Sequence, residues 1–112
     1  MDVQIRFRGV DSSEDLQEHA TRRVHQQLSR FGRDIISVVL RFSDENGPRG
    51  GRDKLCRLSV TGPRIGSVHL SELHDDLRAG LDLALGRLGH AIGRRIARAR
   101  EAGARTSGRR ET

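Results

Sequence analysis

Five histidines, one cysteine and 20 arginines beside a single lysine carry most of the chemistry open to this 112-residue sequence. Histidine is the usual metal ligand and general base near neutral pH. His19 and His25 are six residues apart, which on a helix turns them to different sides, and His69 and His74 straddle a strand-to-helix junction. No ligand spacing of the known kinds occurs, so no metal or cofactor is expected. Asp75 and Asp76 form an acid pair, yet adjacent acids at a helix start are accounted for as caps of its free N–H groups. The stretch GPRGGRDK at residues 47–54 is glycine-rich like a phosphate loop. It lacks the Gly-Lys-Ser/Thr ending, however, and joins two strands instead of opening a helix. Cys56 falls on the apolar side of an alternating strand and reads as a small buried hydrophobe. A lone cysteine makes neither an intramolecular disulfide nor a zinc site. Neither catalysis nor a small-molecule substrate is expected.

The arginines point elsewhere. Residues 1–86 hold 13 basic and 13 acidic side chains, whereas residues 87–112 hold eight arginines against Glu101 and Glu111, so the entire net charge of +6 sits in the last quarter. Such asymmetry favours a polyanionic partner. At about 100° per residue, Arg87, Arg94 and Arg98 share one flank of the final helical segment, and Arg95 adds a further charge. In the first helical segment His19, Arg22, Arg23, Gln26 and Arg30 cluster beside the apolar stripe. Two such ridges on helices packed side by side would grip phosphates bidentately without reading bases. An ordinary solvated helix face also carries charge, and that reading stands beside the first. With no Trp or Tyr and three Phe, a binder that stacks bases on aromatic platforms is disfavoured. Gly86, Gly89 and Gly93 are expected on the face opposite the core, at a cost of about 0.8–1.0 kcal/mol each relative to Ala. A close-approaching backbone or partner helix would explain them; tolerance under strong apolar packing is the plainest account.

Periodicity supplies the frame. Val3, Ile5 and Phe7 alternate with Gln4, Arg6 and Arg8, the pattern of a half-buried strand. Ser12 and Ser13 then precede Glu14 and Asp15, a helix start, and Leu16, Ala20, Val24, Leu28 and Phe31 advance by three or four to a stop at Gly32. A second strand is read with Ile36, Val38, Leu40 and Phe42 inward, and a third with Cys56, Leu58 and Val60 inward. A tight turn at Gly62-Pro63 leads to a fourth with Val68 and Leu70 inward. Residues 44–53 form a polar, glycine-rich loop expected to be mobile. A long amphipathic helix runs from about Asp75 to Arg100 on Leu77, Leu81, Ala84, Leu85, Leu88, Ile92 and Ile96. The expected fold is α+β, in the order β-α-β-β-β-α, with a four-stranded mixed sheet and two helices on one face. Residues 1–101 form a single domain and residues 102–112 a disordered basic tail. No apolar run approaches a membrane span, and the start MDVQIRFRG lacks the layout of a signal peptide, so a cytoplasmic protein with no membrane partner is expected.

In this order of elements the sequence resembles the ribosome hibernation-promoting factor and ribosome-associated inhibitor family, also known as sigma-factor modulation proteins. IRFRGVDSSEDLQEHA is similar to the family's strand, Arg, short turn, Ser or Thr cap and helix. RRVHQQLSRFGRDI resembles its basic-apolar repeat ending in Phe, and DDLRAGLDLALGRLGHAIGRR its last helix. The resemblance covers residues 3–100 and implies binding to small-subunit ribosomal RNA in the decoding channel, blocking tRNA and mRNA. By position it implies RNA-binding roles for Arg8, Arg23, Arg30, Arg87, Arg94 and Arg95; Arg22 and Arg98 extend the two ridges. The chain resembles the short forms, without the extra domain by which long members pair ribosomes. A protein-interaction adaptor or regulatory protein using the polar sheet face is the alternative.

Overall fold

The computed structural model describes residues 1–10, 13–44 and 53–111, with side chains described up to residue 103. The strands are β1 (Asp2–Arg8), β2 (Ser37–Asp44), β3 (Lys54–Gly62) and β4 (Gly66–His74); the helices are α1 (Glu14–Leu28) and α2 (Leu77–Glu111). β1 pairs with β2 in parallel, and β2, β3 and β4 follow as an antiparallel meander, giving the sheet order β1-β2-β3-β4. This is the α+β architecture expected from the periodicity. Among the described residues, no helix is long and apolar enough to cross a membrane.

The core lies between one sheet face and both helices. Three cross-strand rows supply the sheet side: Val3, Val38, Val60, Val68; Ile5, Leu40, Leu58, Leu70; and Phe7, Phe42, Cys56. Leu81, Ala84, Leu85, Leu88 and Ile92 of α2 are fully buried over β3 and β4, and Ala20, Val24 and Leu28 of α1 are buried beside them. Each buried Leu or Ile is worth about 1.5–3 kcal/mol relative to exposure. The outward residues are free to be polar. Ser13 caps α1 by accepting from the Leu16 N–H at 3.0 Å, and Asp76 caps α2, its carboxylate accepting from the Ala79 N–H at 3.3 Å. Asp75 is not a cap; it lies 2.8 Å from His74 Nδ1.

Four details differ from the sequence reading. α1 ends at Leu28, three residues before Phe31, and the chain continues as a 3₁₀ helix over Ser29–Asp34 with a break at Phe31. The reason is a backbone contact: a Cβ at Gly62 would lie 1.8 Å from the Asp34 carbonyl oxygen, so the chain must leave the α-helix early to lay Asp34 on β3. Ile36 is 63% exposed, because Ile35, at 3%, takes the core position just ahead of β2. The loop after Gly62 contributes a core residue, Ile65, and Gly66 behind it takes φ +68, as a three-residue hairpin loop requires. Finally, α2 starts at Leu77 instead of about Asp75, and its helical backbone continues past Arg100 through Glu111. No Pro intervenes, so a helix already nucleated by core packing can propagate past Arg100 despite Gly103 and Gly108. Ser12 and residues 45–52 of the polar loop lie outside the described residues.

Replacing Gly62 by Ala is expected to cost about 1–3 kcal/mol, as overpacking does when backbone must shift. The same change at Gly93, where a Cβ meets nothing within 4 Å, is expected to raise stability by about 0.8–1.0 kcal/mol. Urea unfolding of the two variants checks both signs.

Candidate nucleic-acid interface

α1 and α2 lie side by side, with a groove between the 3₁₀ helix and the middle of α2. Arg30, Phe31, Gly89, His90, Gly93, Arg94 and Arg100 are among its lining residues, around a volume of about 600 Å³. Arg30 is held flat: its guanidinium sits 4.6 Å from the centre of the Phe31 ring. On the other side it lies close to the α2 backbone, where a Cβ at Gly89 would be 3.3 Å from its Nη2. Gly89 is buried and lines the groove together with Gly93, so these two do not lie on the face opposite the core. One residue after core Leu88, Gly89 turns about 100° towards α1 and makes room for Arg30. The one acid in the groove wall, Asp34, is buried and faces Arg64 at 3.6 Å.

The eight arginines singled out by pattern are placed in six settings. Arg30 and Arg94 come together in the groove. Arg23 bonds Asp82 at 2.9 Å and Gln26 at 2.8 Å, a strut from α1 to α2. Exposed pairs of this kind contribute about 0–1 kcal/mol and leave the guanidinium available to a stronger anion. Arg22 is exposed on the far side of α1. Arg87 turns to β4, donating to the Glu72 carboxylate and, at 3.4 Å, to the Ser71 carbonyl; Arg98, eleven residues on, shares that flank. Arg95 donates to the Ile65 carbonyl at 3.0 Å and ties α2 to the β3–β4 loop. Arg8 stands apart, at the end of β1 on the opposite face of the sheet. The two ridges therefore do not run as parallel neighbours: the Arg87–Arg98 flank borders β4, and the groove takes its charge from Arg30, Arg94 and Arg100.

Arg100 and His90 escaped the sequence reading. The signal for Arg100 was present, since Gly89, Gly93 and Arg100 fall at spacings of four and seven on one flank. The other chemical candidates are accounted for locally. Lys54, from the glycine-rich stretch, bonds Asp44 at 2.8 Å and Asp53 at 3.4 Å; the Asp44 hydrogen bond is the main cause that raises its pKa. Among the described residues no group of three or more His, Cys, Asp or Glu side chains is placed to hold a metal. Burial pushes the Cys56 thiol up to about 12, which leaves it protonated and unreactive at neutral pH.

Residues 3–100 match the model of the sigma 54 modulation protein / S30EA ribosomal protein family. The chain belongs to that family. Among solved structures, the S30EA-family fold here is similar to a ribosomal subunit interface protein from Coxiella burnetii, with a TM-score of 0.73 and 22% identity, over 87% of this chain and 99% of that one. It is also similar to the N-terminal domain of Thermus thermophilus Protein Y, with a TM-score of 0.68 and 18% identity, over 84% of this chain and 98% of that one. No curated protein matches this S30EA-family sequence.

Alkylation of Cys56 at pH 8 is expected only through global unfolding. Its rate should rise with urea in step with the unfolded fraction; rapid labelling of native protein would contradict the burial.

Proposed function

We propose that this protein is a ribosome-associated inactivator of translation that binds small-subunit ribosomal RNA in the decoding channel through the α1–α2 groove, in the cytoplasm and without catalysis. The observation that carries the proposal is the convergence of Arg30, Arg94 and Arg100 with His90 over a floor of Gly89 and Gly93. Guanidinium groups take phosphate oxygens two at a time, and a glycine floor lets a sugar-phosphate backbone come close. Phe31, already under Arg30, makes no stacking platform, so the arginine contacts fix position on the RNA without selecting bases. Family membership supports a ribosomal partner, and the two structural neighbours include one described as a ribosomal subunit interface protein. Arg23, Arg87 and Arg98 extend the basic surface along both helices, each able to exchange a weak carboxylate partner, or water, for phosphate. Occupation of the decoding channel by this domain excludes mRNA and tRNA by volume alone.

Co-sedimentation with purified small ribosomal subunits tests the reading. Each charge-assisted contact is worth about 1.5–3 kcal/mol, so Arg30→Glu with Arg94→Glu is expected to weaken binding about a hundredfold or more while leaving the melting transition intact. Gly93→Ala, stabilising for the helix, is expected to weaken binding by intruding on the groove floor. Unchanged binding by the double variant, or a salt-insensitive protein partner that survives nuclease treatment, would overturn the reading in favour of an adaptor.

A further inference from the structure

The sheet register builds a second basic surface that net charge conceals. Arg6 of β1 is directly opposite Arg41 of β2, and Arg41 is directly opposite Arg57 of β3. All three are exposed on the face turned away from the helices. Neighbouring strands are about 4.8 Å apart, so three guanidinium groups stand in a row roughly 10 Å long across the strands. Arg8 lies one row further along the same face, and all four arginines line an open concavity of about 870 Å³. Like charges directly opposite one another destabilise a sheet. Nothing described relieves this row: Arg6 donates at 3.3 Å to neutral Gln4, and no described carboxylate pairs with Arg41 or Arg57. Among the described outward residues of the sheet, the one acid is Asp2, two rows away at the other end of β1. Glu72 is on the inward face and pairs with Arg87, and Asp44, which also lines the concavity, pairs with Lys54 at 2.8 Å.

We infer that this row is a second RNA contact, which takes the phosphodiester backbone of a separate ribosomal RNA segment on the side opposite the groove. The inference rests on the ribosomal reading above and extends it: the protein is held between two RNA segments, one on each face. Charge complementarity selects the occupant. The flanking row, Gln4, Val39, Ser59 and His69, holds no Phe, Tyr or Trp, and its one ring, His69, is hydrogen-bonded to Ser59 at 3.0 Å. A row of guanidinium groups with no apolar anchor suits a chain of phosphates read for position alone.

The test compares two charge-neutral variants on purified small ribosomal subunits: Arg6→Gln, Arg41→Gln and Arg57→Gln together, and Arg30→Gln, Arg94→Gln and Arg100→Gln together. Binding is measured across a salt series, and the bound RNA segments are mapped by ultraviolet crosslinking. The sheet variant is expected to bind at least tenfold more weakly at low salt. Its log-log salt slope should be shallower by about 2–3, from about 0.7–0.9 per lost phosphate contact. It should also lose one set of crosslinks and keep those of the groove, with a melting temperature equal to or above that of the parent. The groove variant is expected to lose the other set. A sheet variant with unchanged slope and crosslinks overturns the second contact and leaves the groove reading standing. Unchanged binding by both variants overturns the ribosomal reading itself. A nuclease-resistant acidic protein captured by the sheet row overturns its assignment to RNA.

Discussion

The row Ile5, Leu40, Leu58 and Leu70, pressed beneath α2, fixes the sheet register on which both surfaces of this protein depend. Side chains alternate along a strand, so slipping any one strand by a single residue would send its apolar set into water and its polar set into the core. Burial of Leu81, Leu85, Leu88 and Ile92 against that face makes such a slip prohibitive. The same registration then leaves Arg6, Arg41 and Arg57 no choice but to line up on the other side. Their mutual repulsion is a cost that the apolar face carries. A charged outer surface is thus a consequence of the core.

The helices obey a comparable constraint. Asp34 rests on β3 at Gly62, which ends α1 early and turns Arg30 and Phe31 towards α2. Gly89 is the residue on α2 that accepts Arg30. The groove is therefore assembled from one close backbone contact at the sheet and one small residue on the helix. Neither element contains it alone. The arginines of the helices differ in kind: Arg23 braces α1 against α2 and Arg95 ties α2 to the β3–β4 loop, whereas Arg94 and Arg100 line the open groove.

Much of this was legible from spacing. Alternation located the four strands and their inward sides, and the three-to-four-residue advance of Leu81, Leu85, Leu88 and Ile92 located the buried stripe of α2. Ser13 and Asp76 were readable as caps because short polar side chains ahead of an apolar-periodic run satisfy free N–H groups. Spacing could not show where Phe31 leaves the helix, since that follows from a contact with Gly62, 31 residues further along the chain. It likewise could not align Arg41 with Arg57, because cross-strand register depends on the length and path of a loop. Summed charge misled in the same way. Residues 1–86 are neutral in total, yet the fold separates their charges, sending carboxylates to caps and inner edges and arginines to one sheet face.

What the α1–α2 groove touches in the bound state decides its role. A cryo-electron-microscopy map of the protein on a purified small ribosomal subunit would show it. The account predicts ribosomal RNA phosphates within hydrogen-bond distance of Arg30, Arg94 and Arg100, in the decoding channel. A bound protein whose α1–α2 groove faces solvent or a ribosomal protein would contradict it.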